Sequence, residues 1–101
     1  MARYWLGPGI QRRIDGIWQE LARRHSEGAA NDTVARLEEV FELLAAQPGM
    51  GVPGECAGKP LRRFLAGNYW VYYRVPEQGV LITKLSHVRQ NQAQEWDATL
   101  R

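Results

Sequence analysis

Between positions 62 and 89 the chain gathers Arg62, Arg63, Tyr69, Trp70, Tyr72, Tyr73, Arg74, Lys84, His87 and Arg89. These residue types permit three kinds of chemistry. Arg and Lys can grip RNA phosphates while aromatic rings stack on bases. A basic group can deprotonate a 2′-hydroxyl while cations stabilise the phosphorane, cutting RNA without a metal. Arg, Tyr and Trp are also the residues enriched at the centres of protein interfaces. The ordinary role of such residues is structural, with strand aromatics packing and charges rimming the sheet.

Other chemistries find no footing in the sequence. Gly49, Gly51 and Gly54 sit in a Pro-rich stretch with no helix behind them, unlike a phosphate loop. His25, Cys56 and His87 share no metal-ligand spacing. Ser86 precedes His87, but neighbours on a strand point to opposite faces, which leaves no hydrolase triad. No metal and no cofactor are expected. Cys56 stands alone, which fits a reducing cytoplasm. No apolar run approaches the ~18 residues of a membrane span, and the N-terminal residues show no secretory core.

Charge is unevenly spread. Residues 1–58 carry six Lys/Arg against eight Asp/Glu, whereas residues 59–101 carry seven against three. The basic half suggests an acidic partner, either a protein segment or a nucleic acid.

The elements that must position these residues follow from periodicity. Tyr4-Trp5-Leu6 is a short strand ended by Gly7-Pro8-Gly9. Ile10, Ile14, Ile17, Leu21 and His25 recur at helical spacing, so a helix is predicted from about residue 8 to 25, ended by Ser26-Glu27-Gly28. A second helix is predicted from about 30 to 46, with Asn31 or Asp32 as its cap and Pro48-Gly49 as its stop. The short link makes the two an antiparallel hairpin. Residues 48–60 read as an irregular loop. Leu61 to Leu65, Tyr69 to Val75 and Val80 to His87 are strand-like runs separated by turn residues, which gives a three-stranded antiparallel meander. Residues 90–101 form a polar tail, read as a short helix with Trp96 and Leu100 as anchors. The expected fold is α+β, one domain spanning residues 1–101 with helices on one face of a sheet.

Several stretches resemble ParE-type toxins of the RelE/ParE toxin-antitoxin superfamily. The block from Leu61 to Val75, Leu61-Arg62-Arg63-Phe64-Leu65-Ala66-Gly67-Asn68-Tyr69-Trp70-Val71-Tyr72-Tyr73-Arg74-Val75, is similar to that family's central strands. Leu85-Ser86-His87-Val88-Arg89-Gln90 resembles its closing His-x-Arg. Pro8 followed by Ile14-Asp15-Gly16-Ile17-Trp18 is similar to its first-helix signature, and Gly49-Met50-Gly51-Val52-Pro53 to its loop after the second helix. The resemblance covers nearly the whole chain in the right order.

The resemblance implies a RelE/ParE-like fold and a toxin neutralised by a cognate ParD-like antitoxin in a hetero-oligomer, with DNA contacted only through the antitoxin. It implies DNA gyrase as the target, with no catalytic site in the toxin. The RelE branch implies the alternative, a metal-independent, ribosome-dependent mRNA endoribonuclease. RNA-cleaving members tend to carry a catalytic Arg where this chain has Trp70, and a terminal Tyr or His that this tail lacks. Losing that cation weakens the ribonuclease reading unless Arg62, Lys84 and Arg89 converge on one phosphate-sized site. Candidate target contacts are Arg62, Arg63, Arg74, Lys84, His87, Arg89 and Trp96. Candidate antitoxin contacts are Trp18, Leu21, Phe41, Tyr69, Trp70 and Tyr72. His87 reads as a ring hydrogen-bonded at the end of its strand rather than as an acid or base, because no paired base is visible.

Overall fold

The structure is a computed structural model that describes residues 3–76, 79–89 and 96–98. Strand β1 (Tyr4–Leu6) leads into helix α1 (Ile10–Arg24) and helix α2 (Glu27–Ala46). One 3-10 turn (Pro48–Met50) follows, then β2 (Val52–Cys56), β3 (Lys59–Ala66), β4 (Tyr69–Arg74), β5 (Val80–His87) and β6 (Trp96–Ala98). The sheet runs β1-β5-β4-β3-β2-β6, antiparallel except for the parallel pair β1 and β5.

The α1 stripe of Ile10, Ile14 and Ile17 is buried as its spacing requires. The stripe stops short of His25, which is exposed and caps the helix end. Ser26 does not only end α1. Its hydroxyl accepts the Ala29 N–H at 3.0 Å and starts α2 at Glu27, earlier than the Asn31 or Asp32 cap expected from sequence. A two-residue link therefore suffices, and both helices pack against one sheet face.

That face supplies Tyr69, Val71, Tyr73, Val80, Ile82 and Leu85 to a core shared with Leu37, Val40, Phe41 and Leu44 of α2. Burying each such side chain contributes about 1.5–3 kcal/mol. The Tyr4 ring packs on Phe41 at 5.4 Å, and Arg13 Nε donates to the Leu85 carbonyl at 3.2 Å, tying each helix to the sheet.

Two further expectations are corrected. The stretch 48–60 is not an irregular loop: it holds the 3-10 turn, all of β2 and the start of β3. Pro53 and Gly54 disguise β2, being residues that weaken strands. Pairing with β6 begins only at Gly54, so Pro53 lies beyond it, where a missing N–H costs no ladder bond. Ala57 and Gly58 turn the hairpin with φ of 53° and 80°, the doubly left-handed form usually announced by Asn-Gly. The tail is also not helical at Trp96–Ala98, which forms strand β6 against β2. An unpaired β2 edge recruits these residues, and pairing to it outweighs their weak helical propensity. Leu100 lies outside the described residues.

Candidate functional site

Strand parity divides the basic and aromatic residues between two faces. On β3, Arg62 lies opposite Tyr73 and Arg63 opposite Tyr72. Tyr73 belongs to the helix-covered core, so Arg62 is on that side and Arg63 on the side that neither α1 nor α2 covers, called open in that sense alone. Lys84 lies opposite Tyr72 on its other flank. Arg63, Tyr72 and Lys84 thus form one row across three strands of the open face.

The open face holds its cations on rings. The Arg63 guanidinium lies 4.0 Å from the Trp70 ring centre and donates to Tyr72 Oη at 3.4 Å. Lys84 Nζ stands 5.6 Å from the Tyr72 ring centre. Tyr72 is only 1% exposed and Trp70 is half-buried. These rings serve as platforms for cations rather than as free stacking surfaces for bases. A one-residue bulge between Tyr72 and Tyr73 sets this phase, and Thr83 spans it by donating its hydroxyl to the Tyr72 carbonyl at 3.2 Å.

Arg62 works elsewhere. One of its guanidinium nitrogens donates to the carbonyl of Gly51 at 2.7 Å and of Gly49 at 3.4 Å. Beside it the Tyr73 hydroxyl donates to the Pro48 carbonyl at 2.7 Å and accepts the Gly51 N–H at 2.8 Å. Burial pushes the Tyr73 pKa up, against smaller opposing effects from the Gly51 hydrogen bond and the Arg62 charge. Sequence reasoning missed this clamp. Its signal was the glycine pair at positions 49 and 51 ahead of an Arg-Arg strand.

The remaining candidates are dispersed. Arg74 is exposed near the lower end of β4, and Arg89 is exposed just beyond β5. The Arg89 backbone N–H donates to His87 Nδ1 at 3.0 Å, and the His87 ring sits edge-on to Tyr69 at 5.1 Å. Trp96 opens β6 opposite Cys56. Arg62, Lys84 and Arg89 do not converge: they occupy the helix side, the open side and the segment after β5. Among the antitoxin candidates, Phe41 is 1% exposed and sits in the core, offering no surface in the isolated chain. Tyr69 is 9% exposed. Trp18 is half-buried and donates to Asn31 Oδ1 at 2.8 Å across the helical hairpin. Leu21 lines a groove of about 220 Å³ with Tyr69, His87, Asp32 and Arg36.

Among the described residues no group of His, Cys, Asp and Glu could hold a metal, and no helix is long and apolar enough to cross a membrane.

The family model described as ParE toxin of type II toxin-antitoxin system, parDE, matches residues 6–92. The chain belongs to this family. Within it, the chain is 33% identical over 75 residues to Toxin ParE1 of Caulobacter vibrioides, covering 74% of this chain and 78% of that one. It is 26% identical over 89 residues to Toxin ParE1 of Mycobacterium tuberculosis, covering 87% and 91%. A structure described as the chromosomal ParDE TA system from P. aeruginosa superposes with a TM-score of 0.73 at 19% identity, over 86% of this chain and 96% of that one. That likeness shows the fold. The α+β arrangement expected from sequence, with an N-terminal strand and a helical hairpin on the sheet, is the one found. This ParE-family toxin carries Trp70 on its open face, and there the indole is the seat of the Arg63 guanidinium.

Proposed function

We propose that this ParE-family toxin is a protein ligand that inhibits DNA gyrase, and that a ParD-like antitoxin holds it inactive in a cytoplasmic hetero-oligomer. One observation supports the non-enzymatic mode above others. Of Arg62, Lys84 and Arg89, the cations that the ribonuclease reading needs at one phosphate, Arg62 lies on the other side of the sheet from Lys84 and is committed to backbone carbonyls. Phosphorane stabilisation requires donors converging within about 3 Å of one oxygen. The open-face row of Arg63, Lys84 and the outlying Arg74 and Arg89 instead suits a distributed protein interface, where stacked Arg and aromatic residues dominate binding. The helical hairpin groove near Trp18, Leu21 and Tyr69 is the proposed seat of an antitoxin helix. DNA is contacted through the antitoxin only.

The test is a gyrase assay with purified toxin, supercoiled plasmid and ATP, scored for linear DNA with and without antitoxin. Accumulation of cleaved DNA that antitoxin reverses is the expected outcome. No effect at saturating toxin would sink the reading and redirect the same sample to translating ribosomes.

A further inference from the structure

The 3-10 turn after α2 has several of its backbone polar groups taken up internally. Pro48 and Gly49 each give a carbonyl to Tyr73 or Arg62, Gly51 gives both its N–H and its carbonyl, and the Met50 N–H closes on the Gln47 carbonyl at 3.1 Å. A Cβ on Gly51 would come within 2.3 Å of Tyr73 Oη and 2.9 Å of the Arg63 carbonyl, so only glycine fits beneath the clamp. What the turn presents outward is apolar. Met50 is 40% exposed and Val52 is 48% exposed. Val52 lies opposite Arg63 on the open face, and Leu65, 43% exposed, is on the same face two residues further along β3.

A solvent loop ordinarily shows its polar groups to water. A turn held internally beside three exposed aliphatic side chains, its own Met50 and the strand residues Val52 and Leu65, is a preorganised contact, because its ordering cost is met before binding. It offers nucleic acid little, having no cation of its own. The charge around it selects the protein partner. Arg62 lies beneath the turn and Arg63 beside Val52, while none of the described acidic side chains stands on the open face.

We propose that Met50, Val52 and Leu65 form an antitoxin-binding knob that takes an apolar antitoxin segment flanked by carboxylates, with Tyr73 as the positioning residue that fixes the turn. This rests on the toxin-antitoxin reading above and adds a second contact to it, away from the hairpin groove.

The experiment measures the affinity of the full chain for the antitoxin encoded in the same operon, and gyrase poisoning in parallel. Met50→Glu and Val52→Glu, both at exposed positions, are expected to weaken antitoxin binding roughly thirtyfold or more while the unfolding midpoint and gyrase poisoning stay at wild-type levels. Tyr73→Phe is expected to speed exchange of the Gly51 amide and to weaken antitoxin binding in step. Antitoxin affinity within threefold of wild type for the two Glu variants overturns the knob. So does loss of gyrase poisoning with antitoxin binding intact, which assigns the surface to the target. A wild-type chain that binds no antitoxin refutes the underlying reading instead, so the two failures are distinguishable.

Discussion

Tyr73 and Arg62 show how one side chain's role depends on which face of the strand it takes. Arg62 and Arg63 are chemically identical neighbours. Pleating sends one to the helix side to bind turn carbonyls and the other to the open side to lie on Trp70. Removing the Tyr73 hydroxyl tests the clamp directly. Tyr73→Phe leaves the buried Gly51 N–H without its acceptor, and an unmade buried hydrogen bond costs about 1–3 kcal/mol. Thermal unfolding should therefore fall by about 4–8 °C per kcal/mol lost. The same hydroxyl has a pH signature. Burial raises its folded pKa above the ordinary 10.0, so the unfolded chain ionises first. The stability it contributes is intact below about pH 10 and is lost as pH rises through the folded value. Denaturant titrations from pH 8 to 11 should show wild type losing stability at the alkaline end. Tyr73→Phe should lose less there, though Tyr69 and Tyr4, also raised by burial, keep part of the slope.

Among the elements, α2 is the one whose start depends on a single polar atom. Ser26 Oγ accepts the Ala29 N–H, and Ser26→Ala should cost about 0.5–2 kcal/mol, read as a lower unfolding midpoint with the helix otherwise retained. The hairpin of β2 and β3 was illegible for a local reason. Pro53, Gly54 and the Ala57-Gly58 turn each lack the usual strand or turn signal, and pairing with Lys59 to Arg63 overrides that local weakness. The central strands were legible because β-rich runs alternate with turn residues. The bulge at Thr83 was not, because it depends on the registry of two strands rather than on either alone.

At the scale of the whole molecule, charge and composition point outward to a partner. The sheet half is basic and the helix half acidic, so antitoxin affinity should fall steeply as salt rises. An antitoxin at a hundred times its Kd should raise stability by about 2.7 kcal/mol, seen as a concentration-dependent unfolding midpoint. A midpoint indifferent to antitoxin would argue against complex formation. The sequence by itself determined the helical hairpin, the central strands and the family, because each is written in periodicity or in ordered motifs along the chain. Only the tertiary structure decided that Phe41 and Tyr72 are buried, that Arg62 and Arg63 part company, that residues 96–98 pair as a strand, and that Met50, Val52 and Leu65 are left exposed. Those outcomes depend on which face a strand turns to the helices and which edge it finds free, and both are set by contacts between segments far apart in the chain.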